Sequence, residues 1–183
     1  MIAENVQRLL AQIAGGNGMG EPVTLVAATK TRTSEEINEA IAAGITDIGE
    51  NKVQEFTEKF DAVQGGRRHF IGHLQTNKVK YLIGKANCLI EVNIGSELSK
   101  SGFSRKDVRA AYEKLRTYPN IRLCGLMAIL PISEDLAYLR SLCLSMREIY
   151  DTIKADDTNF RFLSMGMSGD WELCLECGSN MIR

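Results

Sequence analysis

Short apolar runs alternate with helical stretches along almost the whole chain, and this alternation restricts the fold more than any other feature. The opening stretch 1–13 reads as an amphipathic helix, with Ile2, Val6, Leu9, Leu10 and Ile13 on one face. VTLVAATK (23–30) is strand-like. SEEINEAIAAG (34–44) is helical, with Ser34 placed to cap it and Gly44 placed to stop it. Further strands read at 46–51, 67–73, 88–95, 123–130 and 160–167. The intervening helices read at 53–63, 76–84, 104–118 (capped by Ser104), 134–155 and, as a short one, 169–178. NMIR opens one more strand. Such alternation implies a parallel sheet with right-handed crossovers in one α/β domain over 1–183.

An open doubly wound sheet and a closed barrel both satisfy that pattern. The polar residues favour the barrel. Lys30, Asn51, His73, Asn93 and the Gly166–Ser168 stretch all fall at the C-terminal ends of successive strands. In a barrel those ends converge on one site, whereas an open sheet focuses ligand contacts at one switch point. The expected fold is therefore a (β/α)8, TIM-type barrel. The strand count is short of eight: only Lys85, Ala86 and Asn87 separate a helix from the next strand. An eight-stranded barrel needs one more strand–helix pair near Ala86–Asn87 and a completed strand after Arg183. On that reading the intact protein exceeds the 20.3 kDa of this sequence.

Composition excludes several classes. The formal net charge is −1, which gives no electrostatic reason to expect nucleic acid or an anionic membrane. No apolar run approaches the roughly 18 residues of a membrane span. The first residues lack a basic n-region, a continuous h-region and a cleavage site. Five cysteines without framework spacing fit a reducing cytoplasm. GGNGMGEP (15–22) has closely spaced glycines, but a dinucleotide loop must follow a strand and open a helix. Here the order is reversed, and a flexible helix–strand connection is expected.

Lys30 ends the apolar run VTLVAA. An amine brought into a partly desolvated site can attack an aldehyde and hold it as a Schiff base, although a lysine at a strand end is more often simply solvated. Ser168 and Gly169, in SMGMSGDWE, sit between a strand and a helix. A hydroxyl, a close-approach glycine and free backbone N–H groups together suit a phosphate; a plain serine cap is the bland alternative. Asn51 and His73 are candidate hydrogen-bonding groups beneath a planar ring. His69 and His73 share a strand face, but no third ligand accompanies them, and zinc needs three or four. Cys174 and Cys177 form one isolated C-x-x-C and are expected to be packing residues.

Taken together, VAATK, IGENKVQE, HFIGHLQTNK, VNIGSELSKSG, GLMAILP and LSMGMSGDWE resemble the YggS/PROSC family of pyridoxal phosphate homeostasis proteins, in the family's order and over nearly the whole chain. The resemblance implies the barrel of the alanine racemase domain (fold type III) and pyridoxal 5′-phosphate (PLP) as cofactor. It places the Schiff base on Lys30 and the phosphate near Ser168 and Gly169. Met165 lies in the same matched stretch and is taken as a cofactor contact. Arg183 matches the arginine near the pyridine ring, and Lys100 a lysine that affects cofactor handling. Three departures stand out. The chain stops where the family continues with a glycine-and-threonine stretch, a strand and helix are lacking around Gly84–Asn87, and Arg32 replaces a second lysine. The implied function is intracellular PLP homeostasis and supply, by a monomer, to apo-PLP-dependent enzymes. The rival is an amino-acid racemase, which needs an acid/base group on the opposite ring face, and no stretch after residue 155 reads as a domain supplying one. A cofactor-free, sugar-phosphate-binding barrel explains Ser168 and Gly169 but gives Lys30 no task.

Overall fold

The computed structural model describes residues 1–71, 81, 84, 86–119 and 121–183. Its core is a closed parallel barrel of seven strands: β1 (Thr24–Ala28), β2 (Asp47–Glu50), β3 (Arg67–Phe70), β4 (Asn87–Glu91), β5 (Arg122–Met127), β6 (Phe162–Ser164) and β7 (Met181–Ile182). The ring runs in chain order and closes through β1 and β7, with Thr24 opposite Met181 and Leu25 opposite Ile182. Among the described residues the strands number seven, not the expected eight. β3 pairs directly with β4, so the ring closes without a strand between them. That seam is narrow, with His69 opposite Asn87 as its single register pair, whereas β2 and β3 share four.

Helices cover the outside: α1 (Ile2–Ile13), α2 (Ser34–Ala42), α3 (Val53–Lys59), α4 (Val108–Leu115), α5 (Leu136–Lys154) and α6 (Trp171–Glu176). The helix expected at 76–84 lies almost wholly outside the described residues. Two caps differ from expectation. Thr33, not Ser34, caps α2, in a capping box with Glu36. Ser104 instead donates to Asp107, which precedes α4. On α5, Leu139, Leu142, Cys143, Met146, Tyr150 and Ile153 recur at helical spacing and are buried. They pack with Ile90, Leu126 and Leu163 from the strands, and with Val92 just after β4, to form the largest apolar cluster. Cys174 and Cys177 are buried in that cluster, with the Cys174 Sγ 3.8 Å from the Cys143 Sγ. Among the described residues no group of His, Cys, Asp or Glu is arranged to hold a metal ion. No described helix is long and apolar enough to cross a membrane.

The connection at 15–22 is pinned where a flexible one was expected. Asn17 is buried; its Oδ1 accepts from the Met19 and Glu21 N–H groups, and its Nδ2 donates to Ser179 O and Glu21. Glu21 in turn binds Arg147 at 2.7 Å and Lys154 at 3.2 Å, tying this turn to α5.

The barrel has a polar pair in its N-terminal half. Asp47 and His69 are both fully buried, with His69 Nε2 2.6 Å from Asp47 Oδ1. Arg67 makes a two-pronged contact to the same carboxylate, at 3.0 and 2.9 Å, and Thr46 donates to it at 2.7 Å. Burial alone raises the Asp47 carboxyl, but the hydrogen bonds from His69, Arg67 and Thr46 outweigh it and hold it down at about 2.

Candidate functional site at the strand ends

The mouth of the barrel is built from the residues just after the strands. After β1 the chain passes through Thr29, Lys30 and Thr31 before α2 begins. Thr29 is buried; its Oγ1 donates to Glu50 Oε1 at 2.9 Å, with Gly49 O as the alternative acceptor at 3.1 Å. Thr31 takes a left-handed conformation at φ 62°, and its N–H donates to Glu55 at 2.9 Å. Lys30 is exposed, so the partly desolvated setting expected of it is absent from the described surroundings. Among the described residues it has no hydrogen bond and no ion pair. Its amine is therefore uncommitted.

Asn51 follows β2. It is half-buried, and its Oδ1 is buried without a hydrogen-bond partner among the described residues. An orphaned buried acceptor is costly. Arg183 follows β7 and donates to Ser164 Oγ at 2.6 Å and to Ala128 O at 3.3 Å. No described carboxylate lies within ion-pair distance of it, and burial pushes its guanidinium down from its ordinary value. A half-buried cation that has no counter-ion among the described residues is a standing invitation to an anion or an acceptor.

The loop after β6 carries Gly166, Met167, Ser168, Gly169 and Asp170. Gly166 sits at φ +110°, and a Cβ there would lie 2.9 Å from Trp171 Cα, so both conformation and space require glycine. Asp170 takes the Met167 N–H at 2.7 Å. Among the described residues no protein acceptor meets the N–H of Ser168 or Gly169, and both residues are exposed. A groove of about 440 Å³ between α1 and β1, lined chiefly by Val6, Leu9, Ile13, Leu25 and Ala27, extends to Met167, Ser168 and Arg183. Lys30 does not line it.

The remaining expected residues fall elsewhere. Met165 is fully buried in the cluster with α5 and α6, so its side chain serves packing. Lys100 is committed to Glu97 at 2.6 Å and to Leu130 O at 2.9 Å, which bridges the loops after β4 and β5. Asn93 organises the first of those loops through Glu97 and Lys100 backbone groups. His73 lies outside the described residues. Sequence reasoning missed Glu50, Glu55 and Lys59. Lys59 donates to Thr29 O at 3.0 Å, Glu50 at 2.7 Å and Glu55 at 3.1 Å. The available signal was Glu55 and Lys59 at i, i+4 on one helix, shortly after a glutamate that ends a strand.

Residues 73–183 match the family described as the alanine racemase N-terminal domain. A pyridoxal phosphate homeostasis protein of Aquifex aeolicus is 32% identical over 211 aligned positions, which take in 100% of this chain and 91% of the relative. The chain belongs to the family of pyridoxal phosphate homeostasis proteins. Solved structures agree with that membership. A protein of unknown function from Bifidobacterium adolescentis superposes with a TM-score of 0.88 at 31% identity, covering 100% of this chain and 92% of the other. PipY of Synechococcus elongatus, solved with PLP bound, gives 0.78 at 26%, covering 100% and 97%. The 211 positions exceed the 183 residues of this chain, so 28 positions of that family alignment have no residue here.

Proposed function

We propose that this chain binds PLP at the C-terminal mouth of the barrel and serves intracellular PLP homeostasis, holding the cofactor and passing it to apo-PLP-dependent enzymes. The observation that carries the reading is the uncommitted amine of Lys30 at the end of β1, in a chain whose family relative PipY was solved with PLP. PLP brings an aldehyde, which an amine holds as a Schiff base. Lys30 would supply that amine.

The neighbouring residues suit the rest of the cofactor. Ser168 offers a hydroxyl, and Ser168 and Gly169 offer backbone N–H groups without protein acceptors, a donor set fitted to a phosphate. Arg183 offers a half-buried guanidinium without a counter-ion among the described residues, suited to the acceptor nitrogen of a pyridine ring. Asn51 offers an acceptor that lacks a partner. The proposed assignment is thus Lys30 for the aldehyde, Ser168 and Gly169 for the phosphate, and Asn51 and Arg183, together with His73, for the ring. Met165 is left as packing and Lys100 as an auxiliary residue that fixes the loops of the mouth. The setting is cytoplasmic and the working unit a monomer.

Titration with PLP tests the reading. The wild-type protein is expected to develop the visible absorption of a PLP imine, and Lys30→Ala is expected to lose it while keeping its circular dichroism. An imine band of full strength in Lys30→Ala would contradict the proposal.

A further inference from the structure

Lys30 is held from both sides by its own backbone neighbours. On one side Thr29 gives its carbonyl to Lys59 and its hydroxyl to Glu50. On the other, Thr31 gives its N–H to Glu55 while its φ of 62° lies in a region that threonine seldom enters. Lys59 joins the two halves. Its ammonium donates to Thr29 O, Glu50 Oε1 and Glu55 Oε2, which accounts for all three of its hydrogens. The group is sheltered, with side-chain exposure of 17% for Lys59, 6% for Glu50 and 19% for Glu55.

We propose that Lys59 is a positioning residue for Lys30, fixing the backbone on each side of it so that the amine stands ready at the mouth of the barrel. The inference rests on Lys30 being the amine that takes PLP. A lysine side chain has four rotatable bonds, so where its amine can reach is set by the place and direction of its backbone. Lys59 sets both, through residue 29 by a direct hydrogen bond and through residue 31 by orienting Glu55. Its three hydrogen bonds also keep Lys59 from competing as a nucleophile. Burial works against its charge, and the Glu50 and Glu55 carboxylates outweigh that cost, so it stays an ammonium where Lys30 reacts as an amine.

The test compares wild type, Lys59→Met, Lys59→Arg and Glu55→Ala in the full chain. It reads PLP affinity from the imine absorption at 25 °C and melting temperature in the absence of PLP. Lys59→Met is expected to bind PLP about tenfold more weakly while still folded, because a displaced amine meets the aldehyde less often. Lys59→Arg restores the charge and two or more of the donors, and is expected to recover to within about threefold of wild type. Glu55→Ala releases only the Thr31 arm. It is expected to weaken PLP binding with little change in melting, and it carries the test if Lys59→Met fails to fold. Wild-type affinity in folded Lys59→Met or, failing that, in Glu55→Ala would overturn the positioning role, leaving the PLP reading intact. A wild-type protein that forms no imine would overturn the PLP reading itself, and this inference with it.

Discussion

Lys30 and Lys59 are lysines near the end of β1 with opposite circumstances. Lys59 spends its hydrogens on a carbonyl and two carboxylates, while Lys30 has no partner among the described residues. Ser168 is a similar case of an unspent group, and its proposed use has a measurable cost. A charge-assisted hydrogen bond to a phosphate is worth about 1.5–3 kcal/mol, so Ser168→Ala is expected to weaken PLP retention roughly tenfold or more in an equilibrium titration. Unchanged affinity would move the phosphate elsewhere on the mouth. The positions of Lys30, Asn51, Ser168 and Arg183 at strand ends were legible in the sequence, because each follows an apolar run. Their neighbourhoods were not. The clamp on Lys30 joins residues 29, 31, 50, 55 and 59 across two strands and a helix, and no local pattern states that Glu50 will meet Lys59. Met165 misled for the same reason. Its sequence neighbours line the mouth, yet its own side chain is packed under α5.

The alternation of elements was legible throughout the described residues, since strand and helix differ in hydrophobic period, and every strand read from the sequence is found, most with their ends trimmed and β4 and β5 starting one residue earlier. Closure was harder to read. The sequence counts strands but does not say that β3 will pair with β4 through one register pair. The connection at 15–22 looked loose because glycine and asparagine dominate it. Asn17 makes it rigid through contacts with Ser179, far along the chain. Between β2 and β3 the polar pair makes a prediction. Asp47 is held at about 2, below its ordinary value, so its stabilisation is full above the unfolded-chain pKa and is lost as pH falls through the folded one. Glu21 is also held at about 2, chiefly by its hydrogen bond from Arg147, and acts in the same direction. Denaturant unfolding is expected to show stability falling between roughly pH 4 and pH 2, with Asp47 contributing about 2 kcal/mol. Asp47→Asn should flatten part of that slope. An unaltered slope in this variant would mean that the buried carboxylate is not held down by its partners.

As a whole molecule, the chain is a seven-stranded parallel barrel that gathers its unspent polar groups at one end, and it belongs to a family one of whose solved members, PipY, holds PLP. The 28 alignment positions without a residue here leave the barrel closed, with β3 joined to β4, as β6 is to β7, by a single register pair. On the proposed reading the arrangement offers PLP an amine, a set of phosphate donors and a half-buried guanidinium. Of these only the amine would make a covalent bond, so it is the most direct point to test. The protein loaded with PLP is reduced with borohydride, digested, and its peptides mapped by mass. The account predicts that the pyridoxyl label is carried by Lys30. A label found on other lysines, with Lys30 unmodified, would contradict it.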